Sequence, residues 1–190
     1  MARSTARVAA ARREQILEAA IARFGRHSYE DTSLRAITAD VGADVAQVHR
    51  SFGSKELLLA EAVRASAPSV EQLLAQPRER LPLVFADLLL ARDTPSAHED
   101  VDALDIFVRS LTSREASAVI RESITDDFIA VLTRTLGSHT ERHAALTLAV
   151  LLGVGVLRDV LHVEPLLDDP DGELRRLMAR VFEVTLPPMK

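Results

Sequence analysis

Between residues 32 and 55 the apolar positions fall into two short helical sets separated by a glycine. Leu34, Ile37 and Val41 recur at helical spacing and line one face. Gly42 follows, a residue that takes the left-handed end conformation without steric cost. Asp44 is placed as the N-cap of a second helix, and Gln47 three residues on completes a capping-box pattern. In that second helix Val45, Val48 and Phe52 are the apolar positions, while Gln47, His49, Arg50 and Ser51 are left to face outward. Asp44, Val45 and Ala46 make its first turn. Two helices about a short glycine turn, with hydrogen-bonding side chains on the outside of the second, form a helix-turn-helix. Its second helix enters the DNA major groove, so Asp44, Val45, Ala46 and Ser51 are DNA-contact candidates with Gln47, His49 and Arg50.

The same periodicity extends in both directions. Ile16, Leu17, Ala20, Ile21 and Phe24 make an apolar helical face that Gly25 is expected to end. Ser33 or Thr32 caps the first helix of the motif, and Ser54 caps a longer one, Lys55 to Ala67, that Pro68 stops. Further on, Ser69-x-x-Gln72, Ser96-x-x-Glu99, Thr112-x-x-Glu115 and Ser138-x-x-Glu141 all have capping-box form. Asp169-Pro170 offers an N-cap with proline at the first helical position. These signals predict helices near 70–76, 80–92, 98–111, 113–136, 139–163 and 171–186. No stretch alternates with period two over a useful length. The expected fold is all-α, about nine helices, with a domain at 1–67 and a helical domain at 68–190. Prolines at 68, 77 and 82 mark the boundary between them.

Two late helices carry more apolar surface than one side needs. In 144–161, Leu148, Leu151, Leu152, Gly155 and Leu157 leave the helix apolar nearly all round. The last helix presents Leu174, Leu177, Met178, Val181 and Phe182 as a stripe. Either both pack inside one subunit, or they join their copies in a two-fold four-helix bundle.

Charge sharpens the DNA reading only when its distribution is considered. The net charge is −5, but residues 1–67 carry +2 and the remainder −7. An acidic body repels DNA and helps confine contact to the basic end. Residues 2–13 are rich in Ala and Arg without apolar periodicity, either a loose terminus or a basic arm. No cysteine is present, which removes disulfides, thiol catalysis and cysteine zinc sites. The N-terminus lacks the apolar core of a signal peptide, and the apolar run Ala144 to Leu157 is short for a bilayer. The expectation is a cytoplasmic protein without cofactor.

Other chemical signals fall away on their spacing. His139-x-x-x-His143 lacks the intervening glutamate of metalloproteases and a third ligand. Gly153-x-Gly155 lies mid-helix, without the preceding strand of a dinucleotide loop. Asp168, Asp169, Asp171 and Glu173 do not have calcium-loop spacing. No nucleophile elbow, Walker loop or supported carboxylate pair is present, so an enzyme is not expected.

The stretch Thr32-Ser33-Leu34-Arg35-x-Ile37, Val41-Gly42 and Phe52-Gly53-Ser54-Lys55-Glu56-Leu57-Leu58 resembles the DNA-binding domain of the tetracycline-repressor (TetR) family. His49 stands where that family most often has tyrosine, and Ser51 where it often has histidine or tyrosine. The resemblance implies a dimeric, ligand-responsive regulator, most often a repressor, on a palindromic operator. Ser33, His49 and Lys55 would contact phosphates, while Gln47 and Arg50 read base edges with Arg35 beside them. Glutamine suits adenine and arginine suits guanine by paired hydrogen bonds. It also implies a small-molecule cavity among helices 80–136. Candidate lining residues are Phe85, Leu88, Leu89, Ile106, Phe107, Phe128 and Leu132. Arg109 and Arg158, on otherwise apolar helices, either meet an acidic ligand or pair with neighbours such as Asp105 or Asp159. The rival reading is a helical protein-interaction module that does not bind DNA.

Overall fold

The computed structural model describes residues 2–90, 101–137 and 140–186. The described residues are helical, with no strand among them. The helices are α1 (Ala2–Arg26), α2 (Leu34–Asp40), α3 (Val45–Phe52), α4 (Lys55–Ser66), α5 (Val70–Leu74) and α6 (Leu81–Leu90). They continue with α7 (Ala103–Ser110), α8 (Arg114–Ser123), α9 (Ala130–Leu136), α10 (Glu141–Gly155) and α11 (Glu173–Thr185). A wide π turn, Ile124–Ile129, joins α8 to α9, and a second, Val156–Val160, extends α10. The capping signals at Ser96, Glu99 and Ser138, and His139 of the histidine pair, lie outside the described residues.

The chain divides into two compact units, Met1–Ala67 with Ser96–Ser123, and Pro68–Pro95 with Ile124–Lys190. The expected break at Pro68 coincides with the first crossing. Helices α7 and α8, expected in the second domain, pack in the first instead. The reason is a set of long-range contacts that periodicity does not reveal. Ile106 and Ala116 enter the same core as Ile16, Phe24, Ile37, Val48 and Leu58. Arg109 Nε donates to the Gly25 carbonyl at 2.5 Å, and Ser113 Oγ donates to Glu30 at 2.7 Å.

Gly25 does not end α1, which continues to Arg26. It is buried, and a Cβ placed there would sit 2.0 Å from Val101 Cγ1. The glycine therefore serves close packing rather than termination. The basic N-terminal segment is helical rather than extended, since α1 starts at Ala2. Two of its arginines turn inward. Arg12 donates to the Val41 carbonyl at 2.7 Å, and Arg13 pairs with Glu61 while stacking over Phe52, 4.5 Å from the ring centre.

In the second unit Leu81, Phe85, Leu89, Leu132, Met178 and Phe182 share a core. Phe85 and Phe182 meet with ring centres 5.6 Å apart. Arg175 holds Asp87 through two hydrogen bonds, tying α11 to α6. Those bonds keep the Asp87 carboxyl below the usual carboxylate range. Asp169 accepts from Leu174 N at 2.8 Å and Arg175 N at 2.9 Å, but not from the N-cap position expected for it. The helix starts at Glu173, because Gly172 adopts a left-handed φ of 64° and breaks the path from Pro170.

With its π extension, α10 reaches Val160 and is long and apolar enough to cross a membrane, which Ala144 to Leu157 alone was not expected to be. One side of it packs on α11 and α6. The other lies open.

The Gly25 contact yields the first test. Gly25→Ala is expected to destabilise the chain despite the better helix propensity of alanine, since overpacking costs about 1–3 kcal/mol against a gain of about 1. Urea denaturation should show part of that loss restored in Gly25→Ala with Val101→Ala. Equal stability of Gly25→Ala and the parent would contradict the packing.

Candidate nucleic-acid interface

The motif is built by local caps and seated by burial. Ser33 Oγ accepts from Ala36 N at 3.1 Å and so caps α2. Gly42 makes the turn with φ of 60°. Asp44 Oδ1 accepts from Gln47 N at 2.7 Å, and Asp44 N donates to Gln47 Oε1 at 3.1 Å, closing the expected box. Ser54 Oγ accepts from Leu57 N at 3.2 Å, opening α4. Each cap is worth about 1 kcal/mol.

Burial decides the rotation of α3 about its axis. Val48 is fully buried and Phe52 nearly so. Each contributes roughly 1.5–3 kcal/mol of apolar burial. Turning the helix to hide its polar flank would forfeit both. Ala46, His49 and Arg50 consequently lie exposed, with Gln47, Val45 and Ser51 half-buried beside them. Asp44, Ser33 and Arg35 are also exposed. The expected groove-facing residues of α2 and α3 thus lie outside the core. Arg50 Nη2 lies 4.0 Å from Asp44 Oδ1, both well exposed, a separation that contributes little to stability.

Two expected phosphate contacts are already engaged. His49 Nδ1 lies 2.8 Å from the Gly53 carbonyl, which can only accept, so Nδ1 carries the proton of that bond. Lys55 does not project freely. Its ammonium donates to the Tyr29 carbonyl at 2.6 Å and sits 3.8 Å from the centre of the Tyr29 ring. Burial draws it below the ordinary lysine value, against Glu30, Glu56 and Glu115, which pull it up. Burial, and then the hydrogen bond to Glu56, push the Tyr29 phenol well above its ordinary value. The Glu56 carboxyl is held low, first by a hydrogen bond with Ser54. Lys55 is thus a brace for the α1–α2 connection.

Sequence reasoning passed over the residues that hold α2 in place. Arg23 grips Asp40 through two bonds of 2.7 Å. That grip lowers the Asp40 carboxyl below its usual range. The pair therefore stabilises above the ordinary carboxylate value near pH 4 and loses its contribution as acid titrates through the lower folded value. Being exposed, it is worth under about 1 kcal/mol. An opposite charge 17 positions along was the available signal, but periodicity does not say which helices meet.

The ligand candidates separate into two groups. Phe85, Leu89 and Leu132 are buried in the second unit, with Leu88 and Phe128 packed at the edge of that core. Ile106 fills the core of the first unit, and Phe107 and Arg109 belong to that unit too. Arg109 is committed to Gly25, so these three are not members of the second unit's core. Arg158 is nearly fully buried and donates to Asp159 at 2.8 Å and to the Leu166 carbonyl at 3.0 Å, the structural alternative foreseen for it.

The dimer candidates also sort by burial. Phe182 and Met178 belong to their own unit's core, and Gly155 is buried. They offer no surface to a second copy. Leu148, Leu151, Leu152 and Leu174 are half-buried. The open stripe runs instead through Leu146, Gly153 and Leu157 on α10, and Leu177, Val181 and Val184 on α11. A Cβ at Gly153 would meet nothing within 4 Å, so Gly153 rather than Gly155 leaves backbone open to approach.

A capped helix with a polar flank, braced by three others, is the head of a helix-turn-helix DNA-binding protein. The model for bacterial regulatory proteins of the tetR family matches residues 16–62, and the tetracyclin repressor-like C-terminal domain model matches residues 79–186. The chain belongs to the TetR family of transcription regulators. It is 28% identical over 107 residues to the HTH-type transcriptional repressor KstR of Rhodococcus jostii (strain RHA1). That alignment covers 56% of this chain and 50% of the relative, so the chain spans about half the length of the curated relative it matches. A TetR-family regulator from Streptomyces coelicolor A3 shares the fold with a TM-score of 0.62 at 24% identity, over 92% of this chain and 93% of that one.

Replacing Lys55 with Met keeps the stem and removes the ammonium. Loss of its hydrogen bond and ring contact should lower stability in urea by roughly 1–2 kcal/mol. Unchanged stability would mean that the ammonium is free for a phosphate after all.

Proposed function

We propose that this chain is a cytoplasmic transcriptional repressor that binds a palindromic operator as a homodimer and is released by a small-molecule effector. The observation that carries the reading is the seat of α3, with Val48 and Phe52 inside and Gln47, His49 and Arg50 on one outer flank. Similarity to KstR, a repressor by name, supports the direction of regulation.

The open stripes on α10 and α11 support the dimer. Leu146, Gly153 and Leu157 follow one another at helical spacing, as do Leu177, Val181 and Val184. Two copies related by a two-fold axis would bury both stripes in a four-helix bundle. The symmetry then sets two α3 helices about 34–36 Å apart, or a multiple, on the operator.

For the effector, the second unit offers an apolar core around Phe85, Leu88, Leu89, Phe128 and Leu132. Two buried polar atoms of that unit, Thr133 Oγ1 and His143 Nδ1, have no hydrogen-bond partner among the described residues. A largely apolar molecule with one or two polar groups would satisfy both features. Binding one spacing of the two heads better than the other would shift DNA affinity.

Leu177→Glu with Val181→Glu tests the assembly, because both residues are exposed in the single chain and the change spares its core. Sedimentation should show a dimer for the parent and a folded monomer for the variant. The parent should hold duplex DNA at low salt and lose it steeply as salt rises, and the variant should bind far more weakly. A variant still dimeric, or a parent indifferent to DNA at low salt, would contradict the reading.

A further inference from the structure

The capping box at the start of α3 fixes which way round the Gln47 carboxamide sits. A backbone N–H can only donate, so the Gln47 atom 3.1 Å from Asp44 N must be the amide oxygen. That oxygen is turned back toward the helix's own first turn. Only the Nε2 amino group remains to face outward, and it carries donors alone. Paired recognition of adenine needs both ends of the amide, the oxygen accepting from N6–H and the nitrogen donating to N7. Freeing the oxygen would leave the Asp44 N–H unpaired in a groove from which water is displaced.

Arg50 beside it has donors only. We infer that Gln47 reads guanine, its free amino group donating to O6 and N7. Cytosine and adenine each place an amino group in the major groove, to which the outward amino group of Gln47 cannot donate. The inference rests on the DNA-binding reading above.

The test is selection from a randomised duplex pool with the parent, Gln47→Ala and Gln47→Glu. Glutamate keeps an oxygen to close the box and replaces the outward amino group with an acceptor. One base pair should lose its preference in Gln47→Ala, and it should be a G·C pair in the parent. In Gln47→Glu that pair should invert to C·G, with a preference of roughly tenfold in each case. An A·T pair at the position in the parent, or a Gln47→Ala profile equal to the parent's, would overturn the inference while leaving DNA binding intact. No enriched sequence with the parent would instead remove the DNA-binding reading, and the inference with it.

Discussion

Val48 and Phe52 anchor α3 in the core, and what that helix offers to solvent follows from their burial. An eight-residue helix has too few hydrogen bonds to persist alone. Its two apolar residues, four positions apart, supply the adhesion, and its capping box supplies the entry angle. Together they leave the polar flank with a single orientation. The core that receives them is assembled from α1, α2 and α4, and from α7 and α8, which arrive from more than thirty positions further along the chain. Arg12 adds a bond to the Val41 carbonyl beside the turn, and Arg13 covers the Phe52 ring. The head is therefore more than its three helices. Its packing includes a hairpin that a boundary drawn at residue 68 would have assigned elsewhere.

α8 runs through a wide π turn into α9, so one continuous helical path carries Ala116 of the first core and Leu132 of the second.

The legible parts of the chain were those determined by near neighbours. Ser33, Gly42, Asp44 with Gln47, Ser54 and Ser69 act within three or four residues of themselves, and the structure places each cap where its spacing predicts. The helix-turn-helix and the all-helical class were readable for that reason. Less legible were choices among equivalent faces. On α11 the apolar residues occupy two adjoining stripes, and nothing local says that Met178 and Phe182 turn inward while Leu177 and Val181 turn out. Gly25 read as a stop because glycine often is one, whereas a distant valine requires it. Lys55 read as a phosphate ligand by its position, whereas a tyrosine 26 residues earlier claims it.

The proposed binding mode sets the outer flank of α3 in the major groove. Methylation interference on a selected operator tests this directly, since guanine N7 lies in the major groove and adenine N3 in the minor. Methyl groups at guanine N7 within each half-site should block binding, and those at adenine N3 in the same half-site should not. Interference confined to adenine N3, or absent from both, would place α3 somewhere other than the groove.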